Sequence, residues 1–293
     1  MSQPAATEQV WTVGGLLQWT EQYFAGKGIE SPRLEAQILL AHALGCQRPQ
    51  LYTRYDEVVA EEARGRFREL VRRRIEGCPV AYLVGSKEFF LLPFEVSPAV
   101  LIPRPSTESL VSACLERAKT LAAPRVIDVG TGSGCIAVSV AKRHAGALVL
   151  AVDRSREALE IARRNAGRHG VADRIEFLES DLFRAVPFGQ TSDFILSNPP
   201  YIPTSDVERL DPVVRDFEPS LALDGGPDGF QVFDRLIEDA PTRLAEGGWL
   251  MVEIGADQEA AARQRVGAVP GLDLIPTIRD GDGHPRVIAA RRV

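Results

Sequence analysis

The sequence predicts an α/β protein in which a small helical bundle precedes a mostly parallel sheet. Three observations carry this. After about residue 106, short apolar runs alternate with amphipathic stretches, as buried strands do when helices cover both faces of a sheet. The last two runs are joined only through Asp280-Gly281-Asp282-Gly283, which favours an antiparallel hairpin at the sheet edge. Before residue 85, apolar residues recur at helical period.

The elements follow in order. Val13 to Ala25 carries Leu16, Leu17, Trp19, Tyr23 and Phe24 mostly on one helical face, and Gly26 and Gly28 end it. Ser31 is placed to cap a second helix with Pro32 in its first turn. Its stripe is Leu34, Ile38, Leu39, Ala41 and Leu44, closed by Gly45. A third helix runs from Glu61 to Glu76 through Phe67, Leu70, Val71 and Ile75. Arg72-Arg73-Arg74 within it reads as a solvated face. Glu88 to Leu92 and Phe94 to Val96 suggest two strands joined near Pro93, and prolines at 98, 103 and 105 stiffen the exit. Strands are then expected over 125–129, 147–152, 174–178, 193–196, 249–254, 272–278 and 287–291, with helices such as 155–169 and 230–244 between them. The domains read as 1–85 (helical), 86–105 (hairpin connector) and 106–293 (catalytic). Seven strands ending in a hairpin are the Rossmann-like sheet of class I methyltransferases.

Composition narrows the function. The 293 residues have the apolar and charged fractions of a soluble globular protein. A net charge of −6 argues against a life on nucleic-acid backbone. Cys46, Cys78, Cys114 and Cys135 have no zinc-ligand spacing, and no metal is expected. The four histidines are scattered without partners. There is no membrane-length apolar run and no signal-peptide core, so the cytoplasm is the expected compartment. Without a long exposed apolar helix, a monomer is expected.

Two loops carry the chemistry. Asp128-Val129-Gly130-Thr131-Gly132-Ser133-Gly134 follows the first catalytic-domain strand and precedes a helix. Its glycines permit positive φ and close approach to a ligand. A dinucleotide fingerprint would want a glycine where Cys135 stands. The loop therefore suits S-adenosylmethionine, which has no phosphate and carries cationic amino and sulfonium groups. Asp128 suits the amino group, directly or through water. Asp153, at the end of the second strand, suits the ribose hydroxyls. Asp181 suits the adenine amino group, with Leu182 packing on the ring. Each Asp alone is as readily a cap or turn residue; three at the carboxyl ends of successive strands mark the edge where open parallel sheets bind ligands.

The second loop is Ser197-Asn198-Pro199-Pro200-Tyr201, after the apolar run Phe194-Ile195-Leu196. An amide nitrogen is a weak nucleophile because its lone pair is shared with the carbonyl. The Asn198 side-chain oxygen and the Pro199 carbonyl can accept hydrogen bonds from a planar NH2 and aim it at the methyl donor. Asn198 would thus border cofactor and acceptor alike. Pro200 holds Pro199 extended and Tyr201 can stack on the acceptor. No strong base is required, since the alkylated nitrogen loses its proton readily to water.

These motifs resemble those of the HemK/PrmC peptide-chain release factor glutamine methyltransferases, along nearly the whole chain. The likeness takes in 33–36 and 39–42 in the helical part, 81–85 and Glu88-Phe89-Phe90, and Leu101-Ile102-Pro103-Arg104-Pro105 with Thr107-Glu108. It continues through 128–134, 197–202, Glu218-Pro219, Ala222-Leu223, Gly225-Gly226 and Asp228-Gly229. The resemblance implies that S-adenosylmethionine methylates the glutamine of the Gly-Gly-Gln motif of class 1 release factors, with residues 1–85 helping to hold the factor. Ser106 stands where the family has an acidic residue, and is expected to cap the helix that holds Glu108. Leu91 replaces a common glycine and Cys78 a common Glu; none of the three is expected to touch the chemistry. A sister enzyme acting on a large-subunit ribosomal protein shares the acceptor motif, but Arg104-Pro105 with Thr107-Glu108 favours the release-factor branch. DNA adenine methyltransferases share the Asn-Pro-Pro-Tyr motif alone, and a base presents the same NH2 geometry. A non-catalytic cofactor-binding protein would not need Asn198 and Pro199 intact.

Overall fold

A computed structural model describes residues 10–187 and 189–293. They form two compact units that part between Gly85 and Ser86.

The first unit is helical: α1 (Val13–Gly26), α2 (Pro32–Leu44), α3 (Gln50–Thr53), α4 (Glu61–Ile75) and α5 (Val80–Val84). The Thr12 hydroxyl caps α1 by accepting from the Gly15 amide at 3.1 Å. Ser31 makes no side-chain cap on α2, while Gly45 closes that helix at φ 63°. Of the expected stripe of α2, Leu39 and Ala41 are buried, Ile38 and Leu44 half-buried and Leu34 exposed, while Ala36, Leu40 and Ala43 are buried as well. The arginine run is divided by helical geometry. Arg72 bonds Glu69 and Glu76 at the surface, whereas Arg74 turns inward and meets Glu35 at 2.6 Å. Only part of the run is therefore a solvated face.

The second unit opens with the antiparallel pair β1 (Ser86–Phe89) and β2 (Leu92–Glu95). Its turn lies at Phe90 and Leu91, both with positive φ (52° and 61°). Pro93 is not at the turn; it pairs with Glu88 inside β2. A 3-10 turn over Pro105–Thr107 leads into α6 (Glu108–Ala118), and Ser106 does not cap it. The Glu108 carboxylate instead accepts from the Phe90 amide at 2.8 Å.

Alternation then sets in: β3 (Arg125–Val129), α7 (Cys135–Arg143), β4 (Leu148–Asp153), α8 (Arg156–His169), β5 (Ile175–Glu179) and β6 (Ser192–Ser197). Short helices α9 (Thr204–Val207) and α10 (Pro212–Arg215) precede α11 (Gln231–Arg243), β7 (Leu244–Glu253) and α12 (Glu259–Gly267). The chain ends with β8 (Leu272–Leu274), β9 (Ile278–Arg279) and β10 (Pro285–Arg292). The run expected as one strand over 272–278 is two pieces, because Pro276 has no N–H to give the ladder. The sheet order is β5-β4-β3-β6-β7-β10-β8, with β9 also on β10. The first five are parallel, and β10 runs antiparallel to its neighbours.

Alternate strand residues feed two cores. Val126, Phe194, Leu196, Met251 and Ala289 pack on one face, and Ile127, Ile195, Leu250, Val252 and Ile288 on the other. Both faces are buried, which is why these strands read as continuous apolar runs. Phe89 and Phe94 of the hairpin belong to the first of these cores.

Candidate active site

The chain leaves β3 towards β4 on one side and later returns to β6 on the other, so the β3/β6 boundary is the switch point of the sheet. A cavity of about 470 Å³ lies there, a volume suited to a small-molecule ligand. Its wall includes Gly130, Thr131, Gly132, Ser133, Asp153, Asp181, Leu182, Asn198, Pro199 and Pro200. Both loops singled out in the sequence therefore face one space.

The glycine loop is built by its conformation. Gly130 and Gly132 have φ of 74° and 55°, and a Cβ on either would meet no neighbouring atom. Gly134 turns away: at φ 79° its Cβ position would lie 3.0 Å from the Ala162 Cβ, so this glycine serves the packing of α7 on α8. Asp128, expected beside the ligand's amino group, lies beneath the loop and is fully buried. Its Oδ2 accepts from the Thr131 hydroxyl at 2.6 Å and the Ala137 amide at 3.1 Å, and its Oδ1 has no partner. Burial pushes this carboxyl up to about 7 despite those two bonds.

Asp153 ends β4 at the cavity wall. Its oxygens accept from the Gly132 and Ser155 amides, each at 2.9 Å, leaving further lone pairs for a ligand. Burial raises its pKa, against the pull of those amides. Asp181 stands two residues past β5 and receives Arg235 of α11 at 2.8 Å, which lowers its pKa. Leu182 holds a positive φ of 51° on the same wall.

The acceptor loop leaves β6. Ser197 is pinned by its hydroxyl donating to the Val129 carbonyl at 2.7 Å. Asn198 Nδ2 donates to Thr107 Oγ1 at 3.1 Å. Among the described residues no donor reaches Asn198 Oδ1 or the Pro199 carbonyl. A second loop buttresses them. Ile202 exchanges backbone bonds with Leu223 and Gly225, and a Cβ on Gly225 would meet the Pro200 carbonyl at 2.7 Å. Tyr201 does not line the cavity; burial raises its phenol pKa, and Gln258 Nε2 donates to its carbonyl at 2.9 Å.

Several residues around this site escaped sequence reasoning. Arg235 and Gln258 have no motif signal. Glu253 had one: it is a charged residue in the apolar run of β7, and it is completely buried. Glu218, which the family likeness does take in, is buried too, accepting from the Ile102 amide at 3.2 Å and from Arg104 at 2.6 Å. Ser106, expected as a cap remote from the chemistry, donates to Glu253 Oε1 at 3.2 Å.

Residues 15–85 match the model of the PrmC N-terminal domain, and residues 105–215 that of the methyltransferase small domain. A release factor glutamine methyltransferase of Rhodopirellula baltica is 46% identical over 286 residues, covering 96% of this chain and 97% of its own. One of Geobacter sulfurreducens is 44% identical over 284 residues, covering 97% and 98%. Among solved structures, a T. thermophilus 16S rRNA methyltransferase in complex with AdoMet and guanosine shares the fold at a TM-score of 0.51 and 19% identity, over 71% of this chain and 50% of that one.

Proposed function

This chain belongs to the release factor glutamine methyltransferases, and from that premise we propose that its acceptor is the glutamine of the Gly-Gly-Gln motif in class 1 release factors, held between Asn198 and Pro199. It is an S-adenosylmethionine-dependent methyltransferase that methylates a release-factor glutamine. One observation carries the finer reading. Asn198 and Pro199, whose Oδ1 and carbonyl no donor reaches among the described residues, line the same cavity as the glycine loop.

The residues fit the cofactor. Asp153 has acceptor capacity for ribose hydroxyls, Asp181 and Leu182 border the same cavity, and Gly130 and Gly132 leave room for close approach. When bound, S-adenosylmethionine supplies an electrophilic methyl group. Asn198 and Pro199 accept from the two N–H groups of the substrate amide and so orient its nitrogen. Both prolines lack an N–H, so neither competes as a donor. Catalysis on this reading is positioning and desolvation, and the proton of the methylated amide leaves to water.

Residues 1–85 form the release-factor-binding domain on this reading, 86–105 a hairpin connector and 106–293 the catalytic domain. We assign the enzyme to the cytoplasm as a monomer. No helix among the described residues is long and apolar enough to cross a membrane. The test is methyl transfer from labelled S-adenosylmethionine to a purified class 1 release factor, beside its Gly-Gly-Ala variant. Label on the parent factor alone is expected. Label on neither, with cofactor binding intact, would redirect the search to a ribosomal-protein glutamine or an adenine base.

A further inference from the structure

Asn198 is backed by three polar residues, two of them buried. Thr107 Oγ1 accepts from Asn198 Nδ2 at 3.1 Å, Glu253 lies behind Thr107, and the Ser106 hydroxyl donates to Glu253 Oε1 at 3.2 Å. Thr107 is 2% exposed and Glu253 wholly buried. Glu253 Oε2 has no hydrogen-bond partner among the described residues.

We propose that Thr107, backed by Glu253 and Ser106, is a positioning residue that holds the Asn198 amide with its oxygen towards the substrate. This rests on the reading of Asn198 Oδ1 as an acceptor for the glutamine NH2. An asparagine amide is nearly symmetric in shape, and its two ends differ mainly in hydrogen bonding. A half-turn about its last torsion would present NH2 to NH2, donor against donor. Preventing that turn requires a neighbour that accepts from Asn198 without donating to it. A threonine hydroxyl has one hydrogen. Directed at a carboxylate, that hydrogen leaves only lone pairs for Asn198. Glu253, wholly buried beside Thr107, is the carboxylate in place, with an oxygen that accepts from no other donor among the described residues. Ser106 donates to the other oxygen without adding a charge, where an acidic side chain would set a second carboxylate against Glu253.

The test measures turnover on a release factor and cofactor affinity in the full chain, at about pH 8. Thr107→Val keeps the side-chain shape and removes the hydroxyl. It is expected to lower kcat about 10- to 100-fold, the effect of losing one buried, oriented partner, with cofactor Kd within about twofold. Thr107→Ser restores kcat to within about threefold. Glu253→Gln places an N–H where the carboxylate only accepts, which frees the Thr107 hydrogen to face Asn198; a loss of about tenfold in kcat is expected. Unchanged kcat in Thr107→Val and Glu253→Gln, beside an inactive Asn198→Ala, overturns the positioning role and leaves the acceptor reading standing. An active Asn198→Ala removes the acceptor reading and this inference with it.

Discussion

Asp128 and Thr131 meet beneath the glycine loop, the Thr131 hydroxyl donating to Asp128 Oδ2 at 2.6 Å in a fully buried setting. Burial raises this carboxyl to about 7, so the folded chain holds a proton that the unfolded chain has released by then. The group therefore lowers stability as pH rises from about 4 to about 7 and has no further effect above. Its full penalty is roughly 4 kcal/mol. Glu253, also raised to about 7 by burial, acts in the same direction. Urea unfolding at pH 5 and pH 7.5 is expected to show the lower stability at pH 7.5, and Asp128→Asn to flatten the difference. An identical slope in Asp128→Asn would show that Asp128 does not titrate in this window.

Asn198→Ala removes the free amide oxygen while leaving β6 and the glycine loop intact. Cofactor affinity is expected to hold within a few-fold, and methyl transfer to fall at least about 100-fold, as when an oriented transition-state partner is lost. Calorimetry and labelled transfer check the two halves separately. Unchanged turnover would sink the mechanism.

Asp153 accepts from the Gly132 amide and faces the cavity, so it shapes the loop as well as the ligand site. Asp153→Ala is expected to weaken cofactor binding by about 10- to 100-fold, the cost of one buried hydrogen-bonding carboxylate. Calorimetric titration with S-adenosylmethionine measures it.

Gly225 has no space for a side chain: a Cβ would meet the Pro200 carbonyl at 2.7 Å and the Gly229 carbonyl at 2.8 Å. Both contacts are backbone, so Gly225→Ala must displace the acceptor loop. Turnover is expected to drop more than about tenfold, since small misplacements of reacting groups are costly, while cofactor affinity changes little.

Leu91 sits in the left-handed region at φ 61° with 81% of its surface exposed. A leucine there carries about 1–2 kcal/mol of steric cost and has almost no packing to lose. Glycine gives back part of that gain through a freer unfolded chain. Leu91→Gly is expected to stabilise the protein by about 0.5–1 kcal/mol, seen as a higher denaturation midpoint without a change in slope. Phe90, the other positive-φ residue of the turn, packs on the core and receives Arg143 over its ring, so Phe90→Gly is expected to destabilise.

Strand existence was legible because burial on both sheet faces leaves an apolar run in the sequence. Strand ends were less so, since Pro276 divides β8 from β9 through one missing N–H. The hairpin turn was misplaced towards Pro93 because Phe90 and Leu91 are not residues that advertise positive φ. Ser31 and Ser106 have the chemistry of caps, and neither caps a helix; whether a hydroxyl finds an amide depends on the local backbone and, for Ser106, on Glu253 lying within reach.

The order of strands and helices, the two loops and the family are legible without coordinates, because each is written in contiguous residues. It takes the folded chain to put Asp128 under the glycine loop and Asp153 on the cavity wall. The fold alone brought Thr107 to Asn198 across 91 positions of chain and Ser106 to Glu253 across 147. The reason is physical: a strand exposes alternate residues to opposite faces whatever their chemistry, and a parallel sheet joins segments far apart in sequence. What surrounds a polar group, and hence what it can bind, is set by the neighbours that packing supplies.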